Sequence, residues 1–144
     1  MIDLSKLISN KFFITTIIVV IWAGIYLPCL DLLEVNFNEM RRIMPAVHML
    51  KTGNWTIPVF EGQEYFRKPP MINWMVAGSI IATGKQNEFS VRLPSALSVL
   101  VFVLVLVLME SGFATREERF LAAIFYMTSG GIVSKGLVME IESA

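Results

Sequence analysis

Two clusters of side chains carry the residue types needed for chemistry on a phosphate. One is Glu34, Asn38, Glu39, Arg41 and Arg42; the other is Glu64, Tyr65, Arg67 and Lys68, running into Pro69-Pro70. A carboxylate beside cations is what group transfer from a phosphate-linked donor requires. The carboxylate takes a proton from an acceptor hydroxyl, and the cations stabilise the departing phosphate. Arginine suits that task because its planar fork binds phosphate bidentately. A simpler account exists for the first cluster. Glu39 and Arg42 stand at i and i+3, where a surface ion pair on a helix adds only about 0.2–0.5 kcal/mol.

The elements that must position these residues are membrane elements. Of 144 residues, 55% are hydrophobic and only 17% charged, well below the charged share of a soluble domain. Net charge is zero, with 12 basic and 12 acidic residues, so no basic excess points to nucleic acid. The single Cys29 cannot form an intrachain disulfide, and the single His48 cannot build a His/Cys metal cluster. No metal site is assigned.

Three apolar runs predict an all-α integral membrane fold with spans at about 12–30, 93–109 and 120–138. The first run is too long for a signal-peptide core and lacks a small-residue cleavage pattern, so it reads as a retained span. Pro94 is expected in the first turn of the second span, where a missing N–H costs nothing. The third run is interrupted by Thr128-Ser129-Gly130-Gly131 and Ser134-Lys135-Gly136, which suits packing against other helices. With Lys6 and Lys11 inside, the loop 31–91 lies outside, together with the C-terminus. That loop carries Arg41, Arg42, Lys51, Arg67, Lys68 and Lys85. Cations normally gather on the inner side, although the rule weakens for loops of about 60 residues. A basic pair held outside calls for an anionic partner there.

Within the loop, Asn38 is expected as an N-cap, with Glu39 in the first turn. Met40, Ile43, Met44, Val47 and Leu50 recur at helical spacing, and Gly53 closes the helix. Pro45 should kink this helix or delay its start. Met71–Thr83 is apolar but too short to cross, so a second juxtamembrane helix is expected.

Four segments occur in order: Asn38-Glu39-Met40-Arg41-Arg42; His48 to Pro58; Gly62-Gln63-Glu64-Tyr65-Phe66-Arg67-Lys68-Pro69-Pro70-Met71-Ile72-Asn73-Trp74; and Val91-Arg92-Leu93-Pro94-Ser95. In register with the topology, they resemble the N-terminal part of the bacterial polyprenyl-phosphate-dependent glycosyltransferases of the GT-C fold. Those are relatives of the protein O-mannosyltransferases and of the lipid A aminoarabinose transferase. The resemblance covers about residues 28–95, with weaker agreement to the end.

The resemblance implies an inverting membrane glycosyltransferase in the bacterial inner membrane, with its active site facing the periplasm. The donor would be a sugar on a polyprenyl phosphate, with no other cofactor assigned and a divalent metal requirement left open. The acceptor would be lipid A, a protein or another glycan. By position, Glu39 is the implied catalytic acid or acceptor orienter, and Arg41, Arg67 and Lys68 face the lipid phosphate. Relatives often have Asp-Glu where this chain has Asn38-Glu39, and asparagine cannot act as a base. A second family acid falls near Glu140, with Glu142 as the alternative. Tyr65 accompanies the basic pair, and Lys135 is either a snorkelling anchor or a further phosphate contact. Family members are several times longer, so the chain is expected to be an N-terminal fragment without activity by itself. The other open class is a small three-span protein whose loop binds anionic head groups without catalysis.

Overall fold

The computed structural model describes residues 10–32, 34–66, 69–110 and 112–138. The architecture is all-α, with one minimal hairpin. Helix α1, Lys11–Tyr26, starts at Asn10, whose side chain accepts from the Phe12 amide at 3.0 Å. It runs on through a 3₁₀ turn, Leu27–Cys29. Helix α4, Glu88–Leu108, is the second long apolar helix. The segments Lys11–Cys29 and Glu88–Leu108 are each long and apolar enough to cross a membrane.

The two spans are antiparallel and are tied at both ends. At one end, Lys11 Nζ lies 2.8 Å from Glu110 Oε1. At the other, Arg92 Nη1 donates to the Leu30 carbonyl at 2.9 Å. The Lys11 ammonium, first by direct hydrogen bond and then by charge, holds the Glu110 carboxyl below its ordinary range. Its contribution is therefore present above the unfolded carboxylate pKa and lost as pH falls through the depressed value. An exposed pair of this kind adds little to stability.

Between the ties, Ile14, Ile18, Trp22 and Tyr26 recur every fourth residue along α1. They pack with Ala96, Val99, Val103 and Val107 of α4 in the main core. The Trp22 indole donates to the Ala96 carbonyl at 2.8 Å. Buried indole and phenol groups need such partners.

The expected start of the second span is corrected, and the third apolar run, which together is still long and apolar enough to cross, is broken. Helix α4 begins at Glu88, not near Leu93, because the Asn87 side chain accepts from Ser90 N at 3.1 Å and caps it there. Pro94 therefore lies inside the helix, not in its first turn. The third apolar run is two helices, α5 at Arg116–Thr128 and α6 at Gly130–Leu137, bent by 60° at Ser129. The last carbonyls of a helix lack intrahelical donors, and the Tyr26 hydroxyl satisfies one of them by donating to Met127 O at 3.0 Å.

Helix α6 approaches α1 through a residue without a side chain. A Cβ on Gly136 would stand 2.5 Å from Tyr26 Cε1 and 3.2 Å from a Val99 methyl. Gly136→Ala is therefore expected to cost about 1–3 kcal/mol, as overpacking does, and to lower the thermal midpoint of the purified protein. An unchanged midpoint would contradict this packing.

The loop between the spans folds back on itself as two antiparallel helices, α2 at Phe37–Thr52 and α3 at Met71–Thr83. Helix α3 is about 20 Å long at ~1.5 Å per residue, too short to cross. Ala46 of α2 packs with Val76, Ala77 and Ile80 of α3 and Val91 of α4 in a second, smaller core. The cap of α2 is Asn36, not Asn38. Asn36 Oδ1 accepts from Glu39 N at 2.9 Å while Glu39 Oε2 accepts from Asn36 N at 3.0 Å, a reciprocal capping box. Pro45 lies inside the helix and does not delay its start. Gly53, at φ 73°, closes α2 in the left-handed conformation glycine adopts freely.

From Gly53 the chain enters strands β1, Val59–Phe60, and β2, Gln63–Glu64, paired antiparallel with Phe60 opposite Gln63. Glu61 and Gly62 both have positive φ, 51° and 77°, as a two-residue hairpin loop of this twist requires. Trp74 Nε1 donates to the Trp55 carbonyl at 2.8 Å, which fastens this segment to α3.

Candidate functional site

The end of α1, the start of α4 and the start of α2 meet at one buried ion pair. Arg92 Nε donates to Glu39 Oε1 at 2.9 Å and Nη2 to Glu39 Oε2 at 3.0 Å, a parallel fork-on-fork contact. The remaining reach of the guanidinium is spent on backbone carbonyls, Leu30 O at 2.9 Å and Glu34 O at 3.1 Å. Both residues are sealed from solvent, at 0% relative exposure each. A charge buried this deeply is tolerable only when paired and hydrogen-bonded. Here one arginine joins the end of α1, the connecting loop, the first turn of α2 and the first turns of α4.

That arrangement bears on the role of Glu39. One carboxylate oxygen faces Arg92; the other is shared by Arg92 and the Asn36 amide. Neither is exposed, so taking a proton from an acceptor would require this junction to open. The local Glu39–Arg42 pair suggested by their spacing is not the partnership formed. Glu39 turns to Arg92, 53 positions away in sequence.

Asn38 lies beside the junction on the exposed side of α2. Arg41, half-buried, stacks its guanidinium over the Phe37 ring at 4.7 Å to the centroid. Tyr65 follows β2, with its amide donating to the Pro58 carbonyl at 2.8 Å and its ring 6.0 Å from Phe60. Arg67 and Lys68 lie outside the described residues, but both sides of that pair are fixed. Tyr65 and Phe66 leave the hairpin, and Pro70 caps α3. Lys135 is exposed in the last turn of α6. Glu140 and Glu142 also lie outside the described residues.

Beside the junction, α3 and α4 enclose an apolar groove of about 700 Å³, lined by residues that include Met75, Gly78, Ala82, Leu93, Leu97 and Phe102.

Two residues at this site escape a reading of charge pattern. Arg92 stands four residues into a long apolar helix, where a charge must have a partner; that was the available signal. Arg42 looked like half of a local pair and lies instead on the buried face of α2 with Glu39, Ala46 and Met49.

These features define a multi-pass, all-α membrane protein whose first loop is a folded juxtamembrane unit. The model of the dolichyl-phosphate-mannose-protein mannosyltransferase family matches residues 67–143, more than half of the chain. The chain belongs to this family of GT-C glycosyltransferases.

Curated relatives agree in kind. An undecaprenyl phosphate-alpha-4-amino-4-deoxy-L-arabinose arabinosyl transferase of Shewanella sediminis is 32% identical over 121 residues, covering 83% of this chain and 22% of that protein. A protein of the same name from Pseudomonas savastanoi pv. phaseolicola is 32% identical over 99 residues, covering 68% of this chain and 18% of its own length. An uncharacterized protein of Aquifex aeolicus is 32% identical over 91 residues, covering 63% of this chain and 22% of that protein. The chain thus spans about a fifth of the length of the curated relatives it matches. No solved structure matches it.

Proposed function

We propose that this chain forms the donor-phosphate side of a membrane glycosyltransferase that moves a sugar from a polyprenyl phosphate to an acceptor at the periplasmic face of the bacterial inner membrane. The acceptor hydroxyl attacks the anomeric carbon, the bond from that carbon to the phosphate oxygen breaks, and polyprenyl phosphate departs with the bonding electrons. The hydroxyl proton passes to a carboxylate. Arg41, Arg67 and Lys68 hold the phosphate, where a fixed cation stabilises charge as it develops. In sequence, Asn38 precedes Arg41 on α2 and Tyr65 precedes the basic pair, while Lys135 belongs to α6.

The observation that carries this reading is the family match, which begins at Arg67, within the basic-diproline element. The relatives named for an undecaprenyl-phosphate sugar support a donor of that class, and lipid A is the acceptor to try first. Glu39 serves best as the residue that orients the site through Arg92, given its burial and its full set of contacts. The proton acceptor is then Glu140, with Glu142 as the alternative.

The test uses the longest reading frame that carries these residues, purified into bilayers with a sugar-labelled polyprenyl-phosphate donor and lipid A. Labelled lipid A is expected, and Glu140→Gln should lower its formation by about 100-fold or more, the range of a lost general base. Donor binding without any release of sugar would instead favour a head-group-binding protein.

A further inference from the structure

Among the described residues, Arg42 is a buried cation with no anionic partner. Its residue exposure is 4%, and Nη1 is sealed from solvent with no hydrogen-bond partner among the described residues. The carboxylate three residues before it is committed to Arg92 at 2.9 and 3.0 Å. A guanidinium cannot escape by losing its proton. An unpaired charge taken out of water costs several kcal/mol unless a counter-charge joins it.

Its position says where that counter-charge comes from. Arg42 is on the juxtamembrane helix, one turn from the Glu39–Arg92 junction that joins the end of α1 to the start of α4. Phosphates are the abundant anions at that depth of a bilayer surface. The neighbouring Arg41 is already held on Phe37, which places two guanidinium-bearing residues side by side in the sequence of one helix. A phosphate accepts paired N–H donors from such groups in short, charge-assisted bonds, and does so more strongly once water is excluded.

We propose that Arg42 is an additional phosphate ligand, receiving the anionic head of a lipid-borne phosphate. This rests on the reading of the first outer loop as a phosphate-handling surface. It adds a residue outside the pattern Arg41, Arg67, Lys68. Without a phosphate, Arg42 weakens the fold.

The experiment compares the wild-type chain with Arg42→Met and Arg42→Gln in bilayers of neutral lipid. Three arms add inorganic phosphate, phosphatidic acid or a polyprenyl monophosphate, and the unfolding midpoint is read in each. In neutral lipid, Arg42→Met is expected to melt above wild type, since an apolar side chain of similar length replaces an unpaired charge. Phosphate-bearing lipid should raise the wild-type midpoint and shift both variants clearly less, with affinity reduced about tenfold or more. Inorganic phosphate acting as well would show that the site accepts the free anion; acting alone, it would remove the lipid-borne ligand from the proposal. A polyprenyl monophosphate acting more strongly than phosphatidic acid would identify the chain-linked donor phosphate as the preferred occupant.

If both variants melt below wild type in neutral lipid, Arg42 already has its partner within the protein and the inference fails. It fails too if the variants keep the full phosphate response while Lys68→Ala loses it, and the proposed function then stands without Arg42. If the wild type responds to no phosphate in any arm, both fall together.

Discussion

Replacing Arg92 with leucine is expected to cost about 3–5 kcal/mol, the penalty for stranding one member of a buried ion pair. Glu39 would remain buried with Arg92 gone from both oxygens, and the Leu30 and Glu34 carbonyls would lose their donor. The cost should appear as a lower thermal midpoint and as faster proteolysis between α1 and α2, because the junction fixes that connection. Glu39→Leu alone should be similarly severe, since it strands the guanidinium and removes half of the capping box. The double variant Glu39→Leu/Arg92→Leu should cost much less than the sum, because apolar replacement of a whole buried pair is often nearly neutral. Additive costs in this cycle would show that the two side chains do not act as a pair.

The second large effect concerns Lys68. In a longer protein carrying these residues, Lys68→Ala is expected to abolish sugar transfer, by about 100-fold or more for a lost electrostatic contact to the leaving group. Membrane insertion should be unchanged, since the substitution falls outside the apolar runs of span length. Lys68→Arg should recover part of the rate, because charge is kept while reach and geometry change. Normal transfer by Lys68→Ala would remove this residue from the phosphate site. Normal transfer by Lys68→Ala with loss in Arg41→Ala would move the phosphate onto α2.

The class of fold was legible because apolar runs of span length and a short apolar helix are direct readings of hydrophobic length. Helix boundaries were less so. Asn36 and Asn38 both precede Glu39, and only the three-residue spacing from Asn36 to Glu39 permits the reciprocal cap. Sequence pattern starts α4 too late, because Arg92 reads as the edge of a loop. A charged residue can open a buried helix when a carboxylate from elsewhere meets it, and that carboxylate is 53 positions away. The same non-local contact undid the Glu39–Arg42 pairing, since spacing along a helix shows who could meet and not who does. The break at Ser129 had a visible cause in Ser129-Gly130-Gly131 but not a visible angle. Around the candidate site, the cations were legible by type, and their division into a paired Arg92, a stacked Arg41 and a buried Arg42 was not.

On the proposed function, the loop between the two spans holds a lipid phosphate between α2 and the segment that joins β2 to α3. Photo-crosslinking with a polyprenyl monophosphate bearing a photoreactive group near its phosphate tests this most directly, followed by peptide mapping. The account predicts crosslinks within 37–52 and 65–71, competed by unlabelled polyprenyl monophosphate and not by the uncharged polyprenol. Crosslinks spread along the outer faces of α1 and α4, or competed equally by the polyprenol, would contradict it.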